Sequence, residues 1–332
     1  MTGSALEGPI RRTTLVTGGA GYLGALACRE LLQAGRSVRV LDRLLHGQET
    51  VAAALEHAGI QVIRGDVRDG AARETALHGI DEVVHLAAIV GDPACARDPA
   101  EAAQVNVEGS RAVIEAARRA GATRFVFAST CSNYGRMVDP AVPIDEEGEL
   151  RPVSLYAEQK VEIERLLLGE DLGSLRPTCL RFATVYGIAP RMRFDLTVNE
   201  FTRDLWAGRK LDVFGEQFWR PYVHVGDAAR GIRAVLEAPD EATARAVFNV
   251  GDSRENYRKL DLIEAVRGQI SSGEVTYVRR NEDPRDYKVS FDKIAAALGF
   301  ETLMSVPDGI REIAHALDAD AYGDPFDPRF RN

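Results

Sequence analysis

The amino-acid sequence predicts an α/β fold in which a parallel, doubly wound sheet is followed by a smaller, mixed C-terminal lobe. Apolar strands and amphipathic helices alternate from residue 14 to a strand at 178–182, which is typical of a parallel sheet with helices on both faces. Beyond Tyr186-Gly187 this alternation breaks down. At 332 residues the chain is also long for one hydrophobic core. We therefore expect a Rossmann-type domain over 1–183, joined by parts of 220–250, and a second lobe over 184–332.

The first strand leads into a glycine-spaced turn within residues 14–24, Thr-Leu-Val-Thr-Gly-Gly-Ala-Gly-Tyr-Leu-Gly. Gly18, Gly21 and Gly24 allow close approach of a diphosphate, whose charge suits the N-terminus of the helix that follows. A second strand then ends at Asp42, where a carboxylate can accept hydrogen bonds from an adenosine ribose. The alternative is an ordinary glycine-rich turn with a surface aspartate. The order of strand, turn, helix, strand and acid favours dinucleotide binding, with Tyr22 and Leu23 in the binding turn.

The identity of the dinucleotide depends on the residues at the end of the second strand. The Asp42 carboxylate would repel a 2′-phosphate and bond a 2′-hydroxyl, which favours NAD over NADP. Arg43 is the opposing feature, because an arginine at this position could reach a 2′-phosphate. We predict NAD.

The next strands add further candidate contacts to the cofactor. A strand at 60–64 is closed by Gly-Asp-Val, where Asp66 and its neighbour Val67 could meet the adenine; Asp66 could equally cap the following helix. A strand from residue 82 runs into small residues whose backbone could lie against the cofactor, namely Leu86, Ala87 and Ala88. In the helix predicted over 99–120, Asn106 sits on the apolar face, where its amide needs partners. We expect Asn106 to tie neighbouring backbone together beside the cofactor.

Composition limits the possible partners and locations. Hydrophobic residues at 45% and charged residues at 27% describe an ordinary globular protein. A formal charge of −9 argues against nucleic acid as a partner. The four cysteines show no metal-ligand or CxxC spacing, so we expect reduced thiols and no metal. The sequence shows no signal peptide and no apolar run of membrane-spanning length. We therefore predict a cytoplasmic protein with no membrane association.

Tyr156 and Lys160 are the main candidates for catalysis. They lie four residues apart on a helix predicted over 154–168, so their side chains share one face. An ammonium near a phenol lowers the pKa of the phenol, which would let Tyr156 exchange a proton with a substrate hydroxyl. Thr130, at the end of the fifth strand, could hold the same hydroxyl in place. A tyrosine packed by chance on a helix face is the alternative.

Together these motifs resemble the extended short-chain dehydrogenase/reductase family, specifically its nucleotide-sugar epimerase/dehydratase branch. The resemblance extends to about residue 298 and includes Arg-Pro-Tyr-Val-His-Val at 220–225 and Phe-Asn-Val-Gly at 248–251. It implies NAD in the first lobe and a nucleoside-diphosphate sugar in the cleft between lobes. It assigns Thr130 and Tyr156 to catalysis and Lys160 to the ribose and the tyrosine. It also suggests a homodimer through helices over 101–117 and 156–168.

The resemblance further implies which residues bind the substrate. Arg220 matches an arginine that contacts the diphosphate, and Arg280 and Asp283, with Arg285 close by, fall where family members hold the nucleotide. Thr184 stands where the family often has an asparagine that contacts the sugar diphosphate. The residues that could compensate for this change are Arg191, Arg193 and Asn199, although two arginines in a loop are more often simply solvated.

Two departures from the family pattern narrow the predicted reaction. Dehydratases of this branch carry Asp-Glu directly after the catalytic threonine, whereas this chain has Cys131 and Ser132. Enzymes that epimerise beside a ketone carry a cysteine at the position of Ser132, which we assign instead to substrate contact. The sequence therefore predicts an NAD-dependent epimerase of a nucleoside-diphosphate sugar that acts at C4 by transient hydride transfer. The alternatives are a 4-keto sugar nucleotide reductase using NADH or NADPH and a non-catalytic NAD-binding regulatory protein.

Overall fold

The computed structural model describes residues 12–139, 141–278 and 285–332. Its strands are β1 (Thr13–Thr17), β2 (Ser37–Asp42), β3 (Gln61–Arg64), β4 (Glu82–His85), β5 (Arg124–Thr130), β6 (Arg176–Phe182), β7 (Thr184–Tyr186), β8 (Lys210–Val213), β9 (Trp219–His224), β10 (Ala246–Val250), β11 (Asn256–Arg258) and β12 (Glu274–Tyr277).

The helices cover both faces of the main sheet and build much of the second lobe. They are α1 (Tyr22–Gln33), α2 (Glu49–His57), α3 (Gly70–Leu77), α4 (Asp92–Arg97), α5 (Pro99–Ala103), α6 (Ser110–Arg119), α7 (Leu155–Gly169), α8 (Thr197–Trp206), α9 (Val225–Glu237), α10 (Asp240–Thr243), α11 (Lys259–Arg267), α12 (Asp292–Leu298) and α13 (Val306–Asp318). Among these described helices, none is long and apolar enough to cross a membrane.

The main sheet has seven parallel strands in the order β10-β6-β5-β4-β1-β2-β3. β5 lies in its interior, and the consecutive residues Phe125, Val126 and Phe127 are all buried, as expected for a parallel strand covered on both faces. The chain leaves β1 for β2 on one side and reaches β4 on the other. This reversal of strand order opens a crevice at the carboxyl ends of the strands. The predicted α/β doubly wound fold is confirmed.

The smaller lobe contains two further sheets, one of three strands in the order β11-β9-β7 and one that pairs β12 with β8. β9 pairs antiparallel with β11 and parallel with β7, so this lobe is mixed. β10 follows β9 in the chain but returns to the seven-stranded sheet beside β6. The expected boundaries at 183 and 184 stay a prediction.

The helix predicted over 99–120 is divided in the structure. Between α5 and α6 the chain forms a π-helical segment, Gln104–Gly109, that contains Asn106. π-Helical turns are rare and often occur beside functional sites. Here the segment positions the Asn106 amide against the backbone that follows β4. Asn106 Oδ1 accepts from the Ile89 N–H at 2.8 Å, and Nδ2 donates to the Ile89 carbonyl at 3.0 Å.

Candidate active site

A cleft of about 1670 Å³, including its open mouth, lies at the carboxyl ends of β1, β2, β4 and β5. Most of the predicted site residues line it. On the side expected to hold the cofactor these are Gly18, Gly21, Tyr22, Leu23, Gly24, Asp42, Arg43, Asp66, Val67, Leu86, Ala87, Ala88, Tyr156 and Lys160. From the predicted substrate set, the lining residues are Thr130, Ser132, Thr184, Arg191 and Arg193.

The glycine turn has the geometry of a cradle for a diphosphate. Gly18 has a φ of +72°, and a Cβ added there would lie 2.8 Å from the Ala87 nitrogen. A Cβ added to Gly24 would collide with the Gly18 carbonyl oxygen. The Gly18 N–H donates to the Leu41 carbonyl at 2.9 Å, which ties the turn to β2. Because side chains are excluded from this turn, its backbone and the start of α1 can approach a phosphate directly. The residues present therefore fit a dinucleotide.

Asp42 is held rigidly at the end of β2. Its Oδ2 accepts from the Ala20 N–H at 3.0 Å and its Oδ1 from the Leu44 N–H at 2.8 Å. The residue is only 8% exposed, and burial raises the pKa of its carboxyl group. Each carboxylate oxygen has a further lone pair that can accept a hydrogen bond. Asp42 lines the cleft, so it could accept from a ribose hydroxyl there.

Arg43 turns toward carboxylates at the rim of the cleft. Its Nη1 lies 2.9 Å from Asp66 Oδ2 and 3.1 Å from Glu101 Oε1. Asp66 also pairs with Arg68, whose guanidinium holds the pKa of the Asp66 carboxyl group well below its usual range. Arg43 is therefore engaged by two carboxylates, which does not suit it to a 2′-phosphate.

The Tyr156–Lys160 pair occupies the inner end of the cleft. α7 begins after Ser154, whose Oγ accepts from the Ala157 N–H at 3.4 Å. Lys160 Nζ donates to the Ala128 carbonyl at 2.7 Å and lies 5.7 Å from the centre of the Tyr156 ring. Burial lowers the pKa of Lys160 to about 8. Thr130 Oγ1, also in the cleft, accepts from the Ser132 N–H at 3.1 Å.

The pKa of Tyr156 differs from the sequence-based expectation. Burial raises it above the ordinary value, and Cys95 and Asp92 raise it further, whereas Arg193 lowers it. The expected lowering by Lys160 is not seen, because the ammonium is directed to the Ala128 carbonyl. Burial therefore favours the neutral phenol of Tyr156 over the phenolate.

A buried ion pair behind Thr130 was not anticipated from the sequence. Glu164 Oε2 lies 2.8 Å from Arg181 Nη2, and both side chains are almost wholly buried. Glu164 also accepts hydrogen bonds from Ser129 Oγ and from Asn133 Nδ2. These contacts hold the end of β5 and the turn that carries Thr130. The available signal was spacing, since Glu164 follows Tyr156 and Lys160 at successive four-residue intervals on one face of α7.

A second unanticipated pair bridges the two sides of the cleft. Arg285 Nη1 lies 2.7 Å from Asp92 Oδ2, and both residues line the cleft. Nearby, Ser132 Oγ lies 3.2 Å from the Tyr287 hydroxyl. The Cys131 thiol instead donates to the Arg181 carbonyl at 3.2 Å and is buried outside the cleft lining.

Three predicted site residues lie outside the lining of the cleft. Asn106 bonds Ile89, as described above, and its Nδ2 also donates to Gln159 Oε1 at 2.8 Å. Arg220 is buried with its guanidinium carbon 5.1 Å from the Tyr287 ring centre, and it donates to the Arg285 carbonyl at 2.5 Å. Asn199 is fully buried, and its amide bonds the Gly187 N–H at 2.9 Å and the Arg193 carbonyl at 2.8 Å. Arg280 and Asp283 lie outside the described residues.

The fold and the cleft define a class of enzymes. A doubly wound sheet, a glycine cradle at the start of α1, an acid ending β2 and a Tyr-Lys pair one helical turn apart together describe a dinucleotide-dependent short-chain dehydrogenase/reductase. The chain belongs to the NAD dependent epimerase/dehydratase family, whose model matches residues 14–251. This confirms the predicted family branch, the enzyme class and NAD as the cofactor.

Individual relatives include both kinds of enzyme in the family name. The chain is 28% identical to a UDP-glucose 4-epimerase of Lacticaseibacillus casei, over 94% of this chain and 99% of the relative. It is 31% identical to a dTDP-glucose 4,6-dehydratase of Streptomyces griseus, over 89% and 91%. The structure of Thermus thermophilus UDP-glucose 4-epimerase in complex with NAD superposes with a TM-score of 0.82 at 27% identity, covering 92% of this chain and 99% of that one.

Proposed function

We propose that this enzyme epimerises a nucleoside-diphosphate sugar at C4. The main support for this proposal is the set of residue types at the inner end of the cleft. Tyr156, Lys160 and Thr130 are present, whereas the two positions after Thr130 hold Ser132 and an inward-packed Cys131. A Tyr-Lys-Thr set supports reversible oxidation of a sugar hydroxyl, and the absence of an acid at these two positions disfavours dehydration.

Tyr156, Thr130 and Lys160 have different roles in moving the proton of the C4 hydroxyl. Tyr156 accepts the proton of the C4 hydroxyl and later returns it to the ketone oxygen, and Thr130 orients that oxygen by a hydrogen bond. Held in the glycine cradle, NAD would supply a reversible hydride acceptor for C4 and a positive charge that favours the phenolate form of Tyr156. Lys160 adds a second positive charge from its fixed position under the Ala128 carbonyl.

The substrate is best sought among uridine and deoxythymidine diphosphate sugars. The named relatives act on UDP-glucose and dTDP-glucose. Arg285 and Tyr287 line the cleft on the side of the second lobe, next to Ser132. The predicted diphosphate contacts by Arg220 and Arg280 remain proposals.

The test is conversion of one nucleotide sugar into its C4 epimer without added reductant. We expect the enzyme to interconvert UDP-glucose and UDP-galactose, or the matching dTDP sugars, with no solvent deuterium entering the ring. The Tyr156→Phe variant should retain NAD and lose about 10²-fold or more in turnover, the usual scale for removing a general base.

Two outcomes would contradict this proposal. Stoichiometric oxidation of NADH or NADPH by a 4-keto sugar nucleotide, with no epimer formed from any unmodified sugar, would favour the ketoreductase alternative. Near-full epimerase activity of Tyr156→Phe would show that another group exchanges the proton.

We also propose that the enzyme is a homodimer formed through α6 and α7. The support is the family resemblance and the position of these neighbouring helices on the outer face of the sheet, where Arg111 of α6 lies 2.9 Å from Glu162 of α7. The exposed residues of this face are charged, and they include Arg111, Glu115, Arg118, Glu158, Glu162 and Arg165.

A further inference from the structure

Arg191 is a buried cation at the cofactor end of the cleft. It is only 6% exposed and lines the cleft. Its Nη2 donates to the Arg331 carbonyl at 2.9 Å. Its Nε is buried and has no hydrogen-bond partner in the described part of the chain. A buried guanidinium nitrogen without a partner is costly in free energy, so a polar group that binds in the cleft is expected to satisfy it.

The neighbouring arginines differ from Arg191 in their pairing. Arg193 forms a two-pronged ion pair with Asp195, at 3.0 and 2.8 Å, and Arg43 is held by Asp66 and Glu101. For Arg191, by contrast, the described residues provide no carboxylate within ion-pair distance. Burial and the charge of Arg193 lower the pKa of Arg191 to about 10, so it remains a cation at neutral pH.

The loop that carries Arg191 is fastened to the glycine turn. The Tyr22 hydroxyl, on the first residue of α1, donates to the Gly187 carbonyl at 2.5 Å. Asn199 completes the link, because its Nδ2 donates to the Tyr22 hydroxyl at 3.1 Å and to the Arg193 carbonyl at 2.8 Å. The charge of Arg191 accordingly interacts with Tyr22 and Asp42, the residues that begin α1 and end β2. These two residues flank the place where the diphosphate and the adenosine ribose of a dinucleotide lie.

We propose that Arg191 binds the diphosphate of NAD from the second lobe. The cofactor is then held between the backbone of the glycine turn on one side and a guanidinium on the other, which suits the forked geometry of arginine. This assigns Arg191 to the cofactor and not to the sugar nucleotide. Asn199 is a positioning residue, since it lies outside the cleft lining and holds the Arg191 loop against α1 through its bonds to the Tyr22 hydroxyl and the Arg193 carbonyl.

The experiment measures binding by calorimetry on the full-length protein freed of cofactor. For Arg191→Gln we expect the dissociation constants of NAD and of ADP-ribose to rise about 10- to 100-fold, the range for losing a charge-assisted hydrogen bond to phosphate. Adenosine, which has no phosphate, should bind equally to both proteins. UDP should also bind with unchanged affinity, because its diphosphate would lie elsewhere in the cleft.

Two further variants keep the test decisive if Arg191→Gln is unstable. Arg191→Lys retains the charge and should recover part of the NAD affinity. Arg331→Gln removes a neighbouring exposed charge but leaves the carbonyl that Arg191 uses, and it should bind NAD like the wild type. Unchanged NAD and ADP-ribose affinity in Arg191→Gln would overturn the proposal. So would a selective loss of UDP binding, or a loss confined to NADP, which would place Arg191 on the substrate or on a 2′-phosphate.

Discussion

Lys160 shows at the scale of one residue how a buried charge in the cleft lowers stability. The side chain is 5% exposed, and its Nζ is held by the Ala128 carbonyl and lies 4.6 Å from the centre of the Phe127 ring. A carbonyl and an aromatic ring replace only part of the hydration that the ammonium loses. Burial therefore lowers the pKa of Lys160 from 10.5 to about 8.

This lowered pKa predicts a pH-dependent stability difference in the cofactor-free protein. Below pH 8 both the folded and the unfolded chain carry the proton, and the destabilisation is constant. Between about pH 8 and 10.5 the unfolded chain binds more protons at this site, so its contribution to stability rises with pH. Lys160→Met should raise the free energy of unfolding at pH 7 by up to about 3 kcal/mol, and the gain should shrink at pH 9.5.

Urea unfolding of wild type and variant at the two pH values checks this prediction. Lys293→Met, at an exposed position, serves as the control and should show little difference from wild type at either pH. A stability gain of equal size at pH 7 and pH 9.5 would mean that the buried charge is not its cause.

At the scale of one element, the β1–α1 unit depends on the absence of side chains. Gly24 lies in the first turn of α1, directly against the backbone of Gly18 and Gly19. A methyl group there would push the helix away from the turn. The close approach that would let a diphosphate reach this turn therefore also permits the packing of α1 on β1.

Gly24→Ala should accordingly damage both folding and cofactor binding. We expect a loss of about 1–3 kcal/mol in the free energy of unfolding, the usual cost of forced overpacking, together with weaker NAD binding. The matched control is Gly169→Ala at the end of α7, where no atom lies within 4 Å of the added carbon; its effect should stay within about 0.5 kcal/mol. Denaturant unfolding and NAD titration of both variants test this prediction. Equal stability and equal NAD affinity of Gly24→Ala and Gly169→Ala would contradict it.

At the scale of the whole molecule, the proposed dimer face is unusual in being charged. Large exposed apolar side chains among the described residues occur elsewhere, at Leu45, Val138, Val142, Val153, Tyr277 and Leu303. Association through α6 and α7 would therefore depend on complementary charges more than on apolar burial. Interactions between exposed charges weaken as salt shortens the screening length.

We predict that the dimer dissociation constant increases several-fold when salt is raised from about 0.05 to 0.5 M. Charge reversal by Arg165→Glu should weaken the dimer further, whereas Arg29→Glu on the exposed side of α1 should not. Sedimentation velocity at the two salt concentrations measures both effects. A monomer at low salt, or a dimer indifferent to salt and to Arg165→Glu, would refute the proposed interface.

The sequence by itself determined the features that depend on neighbouring residues in the chain. The spacing of Gly18, Gly21 and Gly24 and the acid that ends β2 predicted dinucleotide binding, and NAD as the cofactor is confirmed by the family. The four-residue interval between Tyr156 and Lys160 predicted a pair on one face of a helix, and the structure has both side chains in the cleft; their catalytic role stays a prediction. Such local patterns are readable because strand and helix periods place nearby residues in known relative positions.

Only the tertiary structure decided the contacts that join distant segments. It brought Arg191 into the same cleft as the glycine turn and paired Glu164 with Arg181 behind Thr130. It also showed that the Asn199 amide forms hydrogen bonds within the chain. It further directed Lys160 to a backbone carbonyl and buried Tyr156, and that burial raises the pKa of the Tyr156 phenol. These outcomes depend on the course of irregular loops and on desolvation by residues far apart in the chain, and neither is encoded in a local period.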